Sequence, residues 1–234
     1  MKVAHGLICV GAAPNALTGA PRREAAPIDD ATQGRPCRLS AGCLTRADRY
    51  TELMLSSRSI RHCKACGAAT DYLVPPDDNR HRAVCSACKI VHYENPLNVV
   101  GTVPIWGEQV LLCRRNIEPR HGFWTLPAGF MELGETLAQG AIRETVEEAG
   151  ANFELKSLFS LLNVVRAGQV HVFYLAELSN TTFAPGPETI EARLFHEHEV
   201  PWDELAFLTV RETLKRYFAD RRQGQFGFHC ADIE

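Results

Sequence analysis

From residue 97 onward the chain alternates short apolar runs with turn residues. Val99-Val100-Gly101-Thr102-Val103-Pro104-Ile105 is followed by Gly107-Glu108 and then by Val110 to Cys113, a pattern that predicts a hairpin. Trp124 to Ala128 predicts a further strand, Gln169 to Leu178 another rich in Val, Phe and Tyr, and Glu191 to Phe195 a short one. Between these runs the period changes to that of a helix. Over Thr136 to Ala149, Ala138, Ile142, Thr145, Val146 and Ala149 predict a packed face, while Glu144, Glu147 and Glu148 fall together on the other side. Thr136-x-x-Gln139 is a capping-box pattern and Gly150 stands where a left-handed terminus is wanted. Leu205, Leu208, Leu214, Tyr217 and Phe218 predict an amphipathic helix over Leu205 to about Arg222. Strands with two helices on their faces imply a layered α/β domain.

The first 59 residues carry no sustained period. Gly, Pro, Ala and Arg are scattered through APNALTGAPRREAAPIDDATQGRPC, so the segment is expected to be a disordered tail. Its opening, MKVAHGLICVGAA, is a poor signal peptide because His5 and Gly6 interrupt the apolar core. Acids at Glu24, Asp29, Asp30, Asp48 and Glu52 spoil a transit peptide, and Met54 is entertained as the true initiator.

Cys63-x-x-Cys66, eighteen intervening residues, then Cys85-x-x-Cys88 is the spacing of a four-cysteine zinc site. The residues between read as strand, Pro-Pro-Asp-Asp-Asn turn and strand, so the two cysteine pairs would meet at the end of a hairpin as in a zinc ribbon. A module of roughly 35 residues has too little core to fold unaided, and a structural Zn²⁺ would supply the missing stability. His62, His81 and His92 are read as surface residues. Cys9, Cys37, Cys43, Cys113 and Cys230 show no pairing pattern, which favours a reducing cytoplasm. The domain organisation expected is therefore 1–59 tail, 60–95 zinc ribbon and 96–234 layered α/β domain.

The chain of 234 residues carries a net charge of −3, no footprint for bulk nucleic-acid binding. No apolar run approaches the roughly 20 residues of a spanning helix, so no membrane span is expected. The charge of interest is local. Glu144, Glu147 and Glu148 crowd the C-terminal end of a helix, where the macrodipole is already negative and like charges repel. Only Arg143 stands nearby, so a hard divalent cation explains the placement better than a solvated acidic face.

These residues carry a family resemblance. Gly129, five residues, Glu135, seven residues, then Arg143-Glu144-Thr145-Val146-Glu147-Glu148-Ala149-Gly150-Ala151 resembles the Nudix box, departing from it only with Thr145 and Ala151 at two aliphatic positions. The resemblance covers about Asn98 to the C-terminus. It implies an α/β/α sandwich with a mixed sheet and hydrolysis of a diphosphate, with Glu144, Glu147 and Glu148 binding Mg²⁺ or Mn²⁺. It further implies that Arg143 orients these acids and that Gly129, Glu135 and Gly150 support the box. The general base is Glu147 or a later acid such as Glu188 or Glu191.

Arg114, Arg115 and Arg120 are candidates to clamp phosphates. Phe123, Trp124, Phe130 and Tyr174 are candidates to stack on a ring, although aromatic residues on strands are usually core. A zinc ribbon before a Nudix domain also occurs in NADH pyrophosphatases, but their S-Q-P-W-P-F-P motif is absent here, where the stretch reads FSLLNVVR. HYENP, CRRNIEPRHGFWTLPAGFMELGET and PWDELAF look instead like bacterial zinc-ribbon relatives of plastid-type pyrophosphatases that cleave FAD and ADP-ribose. The expected substrate is thus a small nucleoside-diphosphate-linked molecule, with AMP released. NADH or NAD-capped RNA hydrolysis and a non-enzymatic binding module are the alternatives, and a homodimer is left open.

Overall fold

The computed structural model describes residues 60–233. The expected tail and Met54 lie outside the described residues. The ribbon comes first, with β1 (Thr70–Leu73), β2 (Arg82–Cys85) and β3 (Val91–His92) in one antiparallel sheet of that order. The strand, turn and strand expected between the cysteine pairs are present.

The following domain is built on β4 (Leu97–Trp106), β5 (Gln109–Arg115), β6 (Trp124–Thr125), β7 (Ala128–Phe130), β8 (Phe153–Val164), β9 (Gln169–Leu178), β10 (Thr189–Phe195) and β11 (His229–Ile233). The sheet runs β10-β5-β4-β9-β8-β11, with β6 added beside β5 and β7 beside β4. It is mixed, because β4 with β9 and β8 with β11 are parallel and the other pairs antiparallel. Helix α1 (Leu137–Ala149) and helix α2 (Leu208–Gln223) complete the domain. Val103, Phe159, Phe173 and Leu175 pack with Val210, Leu214, Tyr217 and Phe218 of α2. Val100 and Val172 pack with Ala141 of α1. Val100 and Val103 have opposite parity on one strand, so the two helices cover opposite faces and the α/β/α sandwich is present.

Both ends of α1 are closed as the sequence predicts. Gln139 N–H donates to the Thr136 hydroxyl, the Gln139 side chain accepts from Thr136 N–H, and Gly150 adopts φ 58°. The buried stripe, however, differs from the predicted one. Ile142 and Val146 are 40% and 49% exposed, and the stripe is Gly140, Ala141, Thr145, Glu148 and Ala149. A buried hydrogen bond of 2.7 Å between the Thr145 and Thr102 hydroxyls holds position 145 against β4, and Glu148 is drawn inward by a backbone donor described below. Those two contacts fix the rotation of the helix and turn Ile142 about 100° away from Ala141.

Three further expectations are corrected. The strand predicted over Trp124 to Ala128 is two short strands broken at Leu126-Pro127, and Pro127 has no N–H to continue a ladder. The C-terminal helix begins at Leu208, which is exposed, because Leu205 first bridges to Trp124 and Ala206 N–H donates to Trp124 O. Strands β8 and β11 carry no clean alternation and were not predicted. Among the described residues no helix is long and apolar enough to cross a membrane.

The orientation of α1 sets an expectation for stability. Ile142→Ala changes the free energy of unfolding by less than ~0.5 kcal/mol, as for an exposed site. Ala141→Leu forces extra volume against Val100 and Val172 and costs ~1–3 kcal/mol. Urea denaturation of the two variants checks this, and equal losses would contradict the packing described.

Candidate active site and metal centre

The box glutamates line one cleft of about 740 Å³, between the start of β4, the loop into α1 and the segment before β10. Arg143 organises them. Its Nε donates to Glu135 Oε2 at 3.0 Å, Nη1 to Glu144 Oε1 at 2.7 Å and to Glu147 Oε2 at 3.1 Å, and Nη2 to Glu135 Oε1 at 2.8 Å and to Phe130 O at 3.1 Å. A guanidinium has five N–H donors, and all of them are used here. Arg143 therefore has no donor to offer a substrate. Its partner Glu135 also accepts from Glu132 N–H at 2.7 Å, which pins the loop, and these bonds hold the Glu135 carboxyl down at about 2, chiefly through Arg143.

Gly129 is required by this arrangement, because a Cβ on it would meet Glu144 Oε2 at 2.3 Å. The neighbouring Ala128 N–H donates to Glu148 Oε2 at 3.0 Å. Glu148 is only 8% exposed, so it is not part of a free acidic face. Burial pushes its carboxyl up to about 8, against the pull of the Ala128 N–H, and the nearby Glu144 adds to the rise. Burial likewise raises Glu144, despite the Arg143 guanidinium. Two desolvated acids beside one saturated arginine make a cleft short of positive charge. Oxygen ligands in such a setting fit a hard divalent cation.

The other candidates separate. Arg115, Phe130 and Glu188 line the cleft with the box residues. Arg115 is buried, its Nε donates to Pro119 O at 3.0 Å, and its guanidinium lies over the Phe207 ring at 5.1 Å. Arg114, Arg120 and Glu191 do not line it. Arg114 Nε donates to Gly122 O, and Arg120 lies over Phe123. Alternation on the strand explains the split between Arg114 and Arg115, since successive residues of β5 point to opposite faces. Trp124 is buried core and Tyr174 packs on the α1 side. Gln169, His171 and Phe207 line the cleft and were missed by sequence reasoning, because they lie in or beside elements whose pattern reads as core.

In the ribbon the four Sγ atoms of Cys63, Cys66, Cys85 and Cys88 lie within 4.8 Å of one another. Three of the separations are 3.5–3.6 Å. A tetrahedral Zn²⁺ with Zn–S of about 2.3 Å requires roughly 3.8 Å between sulfurs, so the donor set fits zinc. Cys88 N–H donates to Cys85 Sγ and Ala65 N–H to Cys63 Sγ. Backbone N–H groups lower the Cys85 and Cys63 thiols toward the thiolate a metal needs, while hydrogen bonding among the thiols raises Cys88. His62 and His81 are exposed as expected, and His92 is half-buried with Nε2 lacking a hydrogen-bond partner.

Comparison with known proteins places both parts. The NUDIX domain family model matches residues 96–219, and the Nudix N-terminal zinc-ribbon model matches residues 61–94. A crystal structure of a NUDIX hydrolase from Nitrosomonas europaea is 44% identical with a TM-score of 0.72, covering 74% of this chain and 99% of that one. A NAD-capped RNA hydrolase NudC from Salmonella paratyphi C is 28% identical over 162 residues, 69% of this chain and 61% of the relative. The NudC of Salmonella heidelberg is 34% identical over 110 residues, 47% and 41% of the two chains. The chain thus spans less than two thirds of the curated relatives it matches.

The buried Glu148 predicts a pH dependence. Its pKa is higher folded than unfolded, so the folded chain holds the extra proton between about 4.5 and about 8. Its contribution to stability is full below the unfolded value and is lost as pH rises through about 8. Without added divalent ion, Glu148 therefore lowers stability as pH rises across that window, while the buried His171, lowered from 6.5 to about 4, acts oppositely up to 6.5, so the net fall lies between about 6.5 and about 8. Glu148→Gln removes much of the slope, and Mg²⁺ raises stability at pH 8 more in wild type than in the variant. Chemical denaturation at a series of pH values measures both.

Proposed function

The chain belongs to the NUDIX family, and on that premise we propose that it hydrolyses the diphosphate of a small nucleoside-diphosphate-linked substrate, releasing AMP. The observation that carries this is the convergence of three acids, Glu144, Glu147 and Glu148, and the cationic Arg115 on one cleft. Glu144, Glu147 and Glu148 would hold Mg²⁺ or Mn²⁺, which when bound neutralises the diphosphate and acidifies the attacking water.

The chain's own groups do the positioning. Arg143 spends its donors on Glu135, Glu144 and Glu147, so it holds ligands in place and leaves phosphate recognition to others. Arg115 takes that part: among the described residues its hydrogen bonding to protein is through Nε alone, which leaves both Nη groups to meet phosphate oxygens. Stacking over Phe207 and the bond to Pro119 O fix the plane of the guanidinium before substrate arrives. Glu188, which lines the cleft near Glu148, would take a proton from water, with Glu147 the alternative. The ribbon would carry one structural Zn²⁺ on Cys63, Cys66, Cys85 and Cys88.

FAD and ADP-ribose are the favoured substrates, supported by the HYENP, CRRNIEPRHGFWTLPAGFMELGET and PWDELAF stretches and by the missing S-Q-P-W-P-F-P motif. NADH or NAD-capped RNA is the second reading, supported by the names of the curated relatives. AMP release from FAD, ADP-ribose and NADH, and release of nicotinamide mononucleotide with 5′-monophosphate RNA from NAD-capped RNA, each measured with Mg²⁺ and Mn²⁺, separate them. FAD or ADP-ribose is expected to show the highest kcat/KM, and a lead for NADH or capped RNA would reverse the order. Glu144→Gln and Glu148→Gln are expected to lower turnover by more than about a hundredfold while the protein stays folded. Turnover at the wild-type rate would remove the acids from the mechanism.

Metal analysis tests the ribbon separately. Protein purified without chelator should carry about one zinc per chain that resists exchange by Mg²⁺, because a closed four-thiolate site has no position open to water. Cys88→Ser should lose it, and zinc-free wild-type protein with an ordered ribbon would refute the assignment.

A further inference from the structure

The cleft has a second wall that carries no charge. The strand register places Phe130 of β7 beside Val99 of β4, and Val99 beside His171 of β9. Paired residues point to the same face of a sheet, so these side chains form one row across three strands. At about 4.8 Å per strand, the backbones at the two ends of the row stand roughly 10 Å apart. Phe130 is 53% exposed, an unusual state for a phenylalanine on a strand, whereas His171 is 8% exposed and still lines the cleft. A flat ring can therefore lie on Phe130 and Val99 with one edge toward His171.

The imidazole is held in one state. His171 Nε2 lies 2.9 Å from Gln169 Oε1, an acceptor, so Nε2 carries the hydrogen and Nδ1 keeps its lone pair. Burial lowers the ring's pKa to about 4, which keeps it uncharged at neutral pH. A neutral acceptor at the edge of an aromatic shelf complements an N–H donor on the ligand's ring. Adenine offers one in its exocyclic amino group, and hypoxanthine offers a carbonyl oxygen at the same position.

We propose that His171, oriented by Gln169, reads the nucleobase by accepting a hydrogen bond from the exocyclic amino group of an adenine seated on Phe130 and Val99. This rests on the diphosphate-hydrolase reading above and adds to it the group that selects the base. His171 is the specificity-determining residue and Gln169 the positioning residue.

The experiment compares ADP-ribose with its hypoxanthine counterpart in hydrolysis, and AMP with IMP in binding by calorimetry. Wild type should favour the adenine member of each pair by about five- to tenfold, the size of one neutral hydrogen bond. His171→Leu should erase the preference by raising KM for ADP-ribose with kcat little changed, while KM for the hypoxanthine substrate does not rise. Gln169→Leu leaves the ring in place but frees its tautomer, and should narrow the preference part-way, which covers a poorly folding His171 variant. Equal losses for both substrates, or an unchanged preference in both variants, would overturn the proposal. If no diphosphate were cleaved at all, the hydrolase reading would fail, and the AMP-over-IMP ratio would still decide the role of His171.

Discussion

One guanidinium holds the acidic face of the cleft together. Arg143 reaches from α1 to the carboxylates of Glu135, Glu144 and Glu147 and to the carbonyl of Phe130, so a single planar group ties the helix, the loop before it and the end of β7. A lysine could not reproduce this, since an ammonium has three donors and no fixed plane. Because every donor is spent on protein, the acids are held close together before any ion or substrate arrives. Their mutual repulsion is offset locally rather than left to solvent.

The second constraint acts through burial. Glu148 is inside the stripe that packs α1 on the sheet, between Thr145 and Ala149, and its carboxylate accepts from the backbone of the strand that leads into the box. A charged group at that depth is unfavourable until a counter-charge sits beside it. The fold thus keeps Glu148 protonated up to about 8, a divalent cation would take the place of that proton, and ion affinity and local stability are coupled. Gly129 follows from the same crowding, because the Glu144 carboxylate occupies the space a side chain would need.

The cleft also divides by chemistry. Its α1 side is acidic and suited to cations, Arg115 provides the fixed cationic group, and the row Phe130, Val99 and His171 is uncharged. A ligand joining a diphosphate to a flat ring matches that sequence of surfaces. The ribbon is a separate device, in which four thiols brought within 4.8 Å replace the hydrophobic core that so short a module cannot build.

Local patterns were enough to determine what depends on local chemistry. The spacing of Cys63, Cys66, Cys85 and Cys88, the Thr136–Gln139 cap, the β4–β5 turn at Gly107-Glu108 and the acids of the box each involve residues near in sequence, and each is present. The rotation of α1 was not legible, because hydrophobicity ranks Ile142 and Val146 above Gly140 and Ala141, while the tertiary contacts of Thr145 and Glu148 bury the small residues instead. Nor were β8 and β11, whose residues pair across long sequence separations without an alternating pattern. Which arginine faces the cleft was decided by strand parity and by Phe207, some ninety residues further along the chain, and the row that includes His171 exists only because β7, β4 and β9 are brought side by side. Proximity in the chain made the clusters of cysteines and of acids readable, and the surfaces that would meet the substrate arise from long-range pairing that no local pattern encodes.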